Sequence, residues 1–294
     1  MTPTLGIVGA GHVGSALARL LAAHGWRVAA VYSRTPAHAA GLAEAVGALP
    51  ADSPSAVLAA ADLTLLTVPD DAIAPLADTM AAAVAATVTP PRAVVHTSGA
   101  LGADVLAPLA ARGLRTGSLH PAFPFAVPAP SLAGAAFAVE AADDGLRADL
   151  LALVAALGGV PLIIPHGGKA QYHAALCIAS NYAVTLYAIA ERLLTGLGIP
   201  ADAADSGLNS LMAGTVENLR LRGLPNALTG PLVRADVGTL QLHLRALRRV
   251  DPALVAVYSG LARQTYPLLQ ARGVAITEIE RLLKEEETHA PDRA

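Results

Sequence analysis

Cysteine is almost absent: Cys177 stands alone among 294 residues, so the chain cannot build an internal disulfide framework, and no Cys/His spacing suits zinc. An excess of basic charge is missing too. The 20 lysines and arginines are offset by 23 acids, for a formal net charge of −3 at pH 7, and no basic stripe with interleaved aromatics of the kind that binds nucleic acid runs along the sequence. Hydrophobic residues make up 54% of the chain and the mean hydropathy is +0.50, yet long apolar runs are lacking. Asp, Gly or Pro interrupts each of them and much of the excess is alanine, so no membrane span is expected. The N-terminal stretch has no basic region of the signal-peptide kind. The expectation is a cytoplasmic chain without a nucleic-acid, membrane or metal partner.

At 294 residues the chain has room for about two domains. Through its first half, strand-like and helix-like segments alternate, as a parallel sheet with crossover helices requires. Strands are expected at 4–8, 26–32, 62–68, 93–96, 115–119, 136–140 and 160–164. Helices are expected at 12–24, 36–46, 55–60, after the Asp70-Asp71 pair, and at 145–157. From Gly168 only helical periodicity remains, at 168–197, 200–221, 228–249, 252–272 and from Thr277, with a charged tail from Glu285 to Ala294 expected to fray. The fold class is therefore α/β: a Rossmann dinucleotide-binding domain over 1–165 followed by an all-α domain over 166–294.

The strand at 4–8 runs directly into Gly9-Ala10-Gly11-His12-Val13-Gly14, a G-x-G-x-x-G that opens a helix. Such a turn aims the unpaired N–H groups and the positive dipole end of the helix at a pyrophosphate. At the end of the second strand an NAD site usually places an acid against the ribose 2′-hydroxyl, but here stand Ser33-Arg34-Thr35. A carboxylate would repel a 2′-phosphate, whereas the planar guanidinium of Arg34 pairs with one. The expected cofactor is NADP. Val68-Pro69, at the end of the next strand, are expected to line it by backbone, and Asp70-Asp71 to serve as helix caps.

Open α/β sheets bind ligands beyond the carboxyl ends of their strands. Ser98 and Gly99 follow one such strand and are candidates for substrate binding, with an ordinary strand-end turn as the alternative. His120 follows another and could bind or protonate a substrate. Lys169 and His173 lie at i and i+4 at the start of an otherwise apolar helix, with Ser180 further along the same face. Reduction of C=O or C=N needs a proton donor near the atom that gains electrons, and a partly buried lysine can be one; a solvated helix-start lysine is the plain alternative. Asn181 points away from Lys169 on a helical wheel and is the weaker candidate.

Taken together, Gly9-x-Gly11-x-x-Gly14, Ser33-Arg34-Thr35, Val68-Pro69-Asp70, His96-Thr97-Ser98-Gly99, His120-Pro121, Lys169-x-x-Tyr172-His173, Ala179-Ser180-Asn181-Tyr182 and Leu228-Thr229-Gly230-Pro231-x-x-Arg234 resemble the Rossmann-like oxidoreductases with an uncharacterised helical C-terminal domain. Their architecture is similar to that of pyrroline-5-carboxylate reductases, ketopantoate reductases and β-hydroxyacid dehydrogenases. The resemblance implies a catalytic role for Lys169, with His173 where the dehydrogenases have Asn, and substrate contacts from Thr229 and Arg234. It names no substrate.

Two functions from different classes follow. One is an NADPH-dependent oxidoreductase acting on a small carbonyl or imine compound, with the proton from Lys169 or His120. The other is a catalytically inactive NADPH-binding sensor or scaffold. The apolar girth of 174–190 and the family likeness imply a homodimer.

Overall fold

Residues 5–8 (β1) are buried at every position, as a strand covered by helices on both faces must be. In the computed structural model, which describes residues 2–84, 92–125 and 131–288, β1 leads into α1 (His12–Ala23), β2 (Val28–Tyr32), α2 (Pro36–Val46), the two-residue β3 (Leu49–Pro50), α3 (Pro54–Ala60), β4 (Leu63–Leu66) and α4 (Asp70–Ala83). Next come β5 (Ala93–His96), a 3-10 turn at Ala103–Leu106, α5 (Ala107–Ala110), β6 (Arg115–Ala122), β7 (Ala136–Ala141), α6 (Asp144–Ala156) and β8 (Val160–Ile163). Of the tail expected to fray, Glu285 to Ala294, residues 285–288 are the end of the last helix, Thr277–Thr288, and 289–294 lie outside the described residues.

The eight strands form one sheet in the order β3-β2-β1-β4-β5-β6-β7-β8. From β3 to β6 every pairing is parallel, the doubly wound arrangement expected of alternating strands and helices. The β6–β7 pair is antiparallel, with Ser118 opposite Glu140 and His120 opposite Ala138. Two apolar layers enclose the sheet, one around Leu5, Leu17, Leu65 and Phe137 and the other around Val8, Leu66, Ile73 and Met80.

The remaining helices are α7 (Lys169–Ala179), α8 (Asn181–Thr195), α9 (Ala201–Arg222), α10 (Val237–Val250), α11 (Ala253–Gln264), α12 (Tyr266–Ala271) and α13 (Thr277–Thr288). Three expectations need correction. The helix expected at 168–197 breaks at Ser180, whose backbone sits at φ −114, ψ −68. The helix expected from Leu228 starts only at Val237: Gly230 has φ 97 and Ala235 φ 50, and Asp236 caps the new start by accepting from Thr239 N–H. The helix expected at 252–272 is divided at Thr265, just before Pro267, because proline cannot supply the N–H that a continuous helix needs at that point.

By compactness the chain divides after Val184, so α7 and the first residues of α8 go with the sheet. The sequence expectation placed the boundary near 165. The difference is physical: polar side chains of α7 are hydrogen-bonded to β6 and to the turn after β5. The second unit, from Thr185, has its own core around Leu240, Leu244, Leu269 and Ile279. By length and composition alone the stretch Lys169–Thr195 is apolar enough to cross a membrane, but its first turn carries a buried lysine.

Candidate functional site

The glycine-rich turn is built by steric necessity. Gly9 has φ +112, a conformation a side chain resists, and a Cβ there would strike the Thr67 backbone. A Cβ on Gly14 would strike the Gly9 carbonyl, whereas at Gly11 a Cβ would meet nothing within 4 Å, leaving the open approach a pyrophosphate needs. Thr67 fixes the turn by donating its hydroxyl to Gly9 O at 2.7 Å. Beside the turn lies a cavity of about 530 Å³ whose lining includes Gly9, Ala10, Gly11, Ser33, Arg34 and Thr35. Val68, Pro69 and His38 line it too. His38 is a cation-capable neighbour of Arg34 that sequence reading missed, and among the described residues no carboxylate lines the cavity. The basic and hydroxyl lining with an open Gly11 fits a phosphorylated dinucleotide. His12, opening α1, contacts Phe125 O through Nδ1 at 2.9 Å and Val13 packs on the core of the sheet.

A second polar cluster grows from the carboxyl ends of β5 and β6 and the first turn of α7. Lys169 is 2% exposed, and its ammonium donates to Ser98 O at 2.7 Å and Ser118 Oγ at 2.9 Å. Burial among neutral acceptors lowers its pKa to about 8, against the pull of Glu140 and Asp70. Ser98 Oγ donates to Asp70 Oδ2 at 2.7 Å and accepts from Ala100 and Leu101 N–H. Asp70 is therefore the first residue of α4 rather than its cap, which is Pro69. Ser98 braces the turn and holds the lysine, a different use from the substrate contact expected of it.

His96 is fully buried, with Nε2 3.0 Å from Gly102 O and Nδ1 accepting from Ser98 N–H at 3.2 Å. Burial pushes its pKa down to about 4. His120 is likewise lowered to about 4, first by burial and then by the Lys169 and His173 charges. Tyr172 is raised to about 12 by burial, so both partners of the His120 Nδ1···Tyr172 Oη contact, 2.9 Å long, are neutral near pH 7. The phenol has no other acceptor among the described residues, so it donates to Nδ1 and the His120 proton stands on Nε2.

That Nε2 faces Gly99. A Cβ on Gly99 would lie 2.9 Å from His120 Nε2 and 2.5 Å from His173 Nδ1, and His173 Nδ1 is buried without a hydrogen-bond partner. Two imidazole nitrogens thus pack together against Gly99, so closely that any side chain there would displace them. Alongside is a cavity of about 340 Å³ lined by His120, Phe123, His173, Cys177, Ser180 and Asn181. Asn181, which a continuous helix would have turned away, joins this wall because α7 ends at Ser180. Lys169 does not line the cavity; it lies behind it. Thr229 and Arg234 belong to the second unit, where Thr229 lines a small recess with Asn218 and Leu268 and Arg234 ends a 3-10 turn.

Sequence reading gave Ser118, Asp70, Tyr172 and Glu140 no role in this cluster; Asp70 was expected only as a helix cap and Tyr172 only as part of a motif. One signal for the site was available: the chain contains only two lysines, Lys169 and Lys284, among its 20 basic residues. A lysine kept where arginine is the general choice marks a place where a compact ammonium is needed.

The profile of a Rossmann-like domain matches residues 2–121, and that of a domain of unknown function, DUF2520, matches residues 135–265. The chain joins a Rossmann-like domain to a DUF2520 domain. The Lys169 cluster thus takes Ser98 and Ser118 from the former and Lys169, Tyr172 and His173 from the latter. An inferred NADP oxidoreductase of Bacteroides fragilis is 26% identical, with 90% of this chain and 96% of that one covered at a TM-score of 0.69. A pyrroline-5-carboxylate reductase of Coxiella burnetii is 14% identical, with 98% of each chain covered at 0.61. An imine reductase of Myxococcus stipitatus, solved with NADP+, is 20% identical, with 92% and 93% covered at 0.63. These reductases share the fold of this chain. No curated protein matches it in sequence.

Proposed function

We propose that the protein is an NADPH-dependent oxidoreductase that moves a hydride to or from the carbon of a small carbonyl or imine compound. The observation that carries this reading is the convergence of the His120 Nε2–H and the unpartnered His173 Nδ1 over Gly99, within the same unit as the glycine turn and its basic cavity. Gly11 and the free N–H groups opening α1 would hold the pyrophosphate, and Arg34, His38 and Ser33 the 2′-phosphate. When bound, the nicotinamide supplies or accepts the hydride.

In the reducing direction the substrate heteroatom accepts a hydrogen bond from His120 Nε2–H, which polarises the C=O or C=N bond. As the carbon gains hydride, the heteroatom takes that proton and Nδ1 is refilled from the Tyr172 hydroxyl. The resulting phenolate faces the Lys169 ammonium, which sits 5.6 Å from the ring centroid, and it takes its proton back from Nδ1 as water reprotonates Nε2. Phe123 and Leu176 give the cavity apolar walls that exclude water from the reacting atoms. The test is NADPH consumption against a panel of cyclic imines and keto acids. Turnover with at least one member supports the reading, and tight NADPH binding with none favours the sensor or scaffold.

We also propose a homodimer. Ile178, Tyr182 and Val184 are 65%, 58% and 70% exposed, and within the second unit α9 exposes Leu211 and Val216. A second copy is the occupant that would cover such apolar surface. Sedimentation should find a dimer at micromolar concentration, and a stable monomer would contradict it.

A further inference from the structure

Glu140 is a buried carboxylate that neither the proposed reaction nor the sequence reading uses. It is 9% exposed and stands directly opposite Ser118 in the antiparallel β6–β7 pair. Opposed residues of such a pair project from the same face with Cβ atoms about 4.5–5.5 Å apart, so Glu140 is the immediate neighbour of the hydroxyl that holds the Lys169 ammonium. Oε2 accepts from Ala103 N–H at 2.9 Å, in the segment just beyond the turn whose Ser98 carbonyl is the other acceptor for Lys169. Oε1 lies 3.6 Å from His166 Nδ1, three residues before Lys169 in the chain. Glu140 thus touches both segments that position the lysine. Its other side lines a separate cavity of about 440 Å³, with Asp104, Arg147 and His166 at the rim.

We propose that Glu140 is the positioning residue of the Lys169 ammonium, its counter-charge through Ser118 and the brace of the Ser98–Ala103 turn. An ammonium surrounded only by neutral acceptors would give up its proton readily in a buried site. The other ionisable groups around Lys169 are Asp70 on α4, His96 on β5, His120 on β6, and Tyr172 and His173 on its own helix. Asp70 is engaged by Ser98 Oγ, and no histidine supplies a negative charge. Glu140 is the carboxylate that stands opposite Ser118 across the β6–β7 pair, its own oxygens held by Ala103 N–H and beside His166. The inference gives Lys169 the place it has in the proposed reaction and rests on that reading for its functional meaning, but its test does not depend on turnover.

With two lysines in the chain, isotope-labelled lysine gives two side-chain NMR signals, and Lys169→Met assigns them. In the wild-type protein the Lys169 signal should titrate at about 8, below the ordinary range of a lysine because of its burial. Glu140→Gln keeps an acceptor for Ala103 N–H but removes the charge, and should move the Lys169 midpoint down by about one pH unit. Asp104→Asn, on the rim of the same cavity, should leave it in place. Glu140→Asp restores the charge and should bring the midpoint back toward the wild-type value, and it serves in place of the Gln variant's companion if that protein does not fold: it should then shift the midpoint by less than half a unit while Ser118→Ala shifts it further. An unchanged midpoint in Glu140→Gln, or an equal shift in Asp104→Asn, would overturn the proposal. Absence of turnover in every protein would count against the reductase reading alone.

Discussion

Tyr172 Oη lies 2.9 Å from Nδ1 of His120, and with the phenol as donor this one contact sets the imidazole proton on Nε2. If Nε2–H is the group a substrate meets, His120→Ala should lower kcat by about 10²–10⁴. Tyr172→Phe leaves the ring in place but removes the hydrogen bond that fixes its tautomer, a loss of about 1–1.5 kcal/mol or roughly tenfold in kcat. Steady-state kinetics with calorimetry would check both, and NADPH affinity should hold in each.

Arg34 lines the cofactor cavity without a carboxylate beside it. A charge-assisted contact to the 2′-phosphate is worth about 1.5–3 kcal/mol, so Arg34→Ala should weaken NADPH by roughly one to two powers of ten and leave NADH almost unchanged. Isothermal titration of both cofactors against both proteins measures this. Equal wild-type affinities would sink the assignment.

Lys169 stands behind the cavity and not in it, so its contribution is charge. Lys169→Met should reduce kcat by about 10²-fold or more, the scale of removing a preorganised electrostatic group. Thermal stability should change little, because the cost of burying an ammonium offsets its hydrogen bonds to Ser98 O and Ser118 Oγ. A large drop in melting temperature would instead make the lysine a structural residue.

His96 and His120 both have pKa values lowered to about 4, below the usual 6.5 or so of an unfolded histidine. Between these two values the unfolded chain binds more protons than the folded one, so stability should fall as pH drops from about 6.5 toward 4, by about 1.4 kcal/mol per pH unit for each histidine. Above about 6.5 the contribution is complete. Denaturant unfolding across this range checks the sign, and stability that rises on acidification would contradict the neutral assignment.

Much of the nucleotide half was legible because its determinants are local. The Gly9 to Gly14 turn, the missing acid at Ser33-Arg34-Thr35 and the alternation of strands and helices each occupy a short stretch of chain. Of the candidate site, the sequence pointed to Lys169, His173, His120, Ser98, Gly99, Ser180 and Asn181 one by one, but not to the way they meet. Their partners lie far off in sequence: Ser118 reaches Lys169 across 51 positions and Ser98 across 71. Glu140 became a neighbour only through the antiparallel turn of β7, which alternation alone does not reveal. Breaks such as Ser180 were missed because an apolar run such as 174–190 carries no proline or glycine to mark an end.

The central claim is hydride transfer, and the most direct measurement uses NADPH carrying deuterium at its transferable position. Incubated with a carbonyl or imine that the protein consumes, wild-type protein should deliver the label to the former C=O or C=N carbon in a single stereochemical sense, and His120→Ala should do so far more slowly with the same cofactor affinity. Saturated binding of labelled NADPH with no deuterium in any product across the panel would contradict the account.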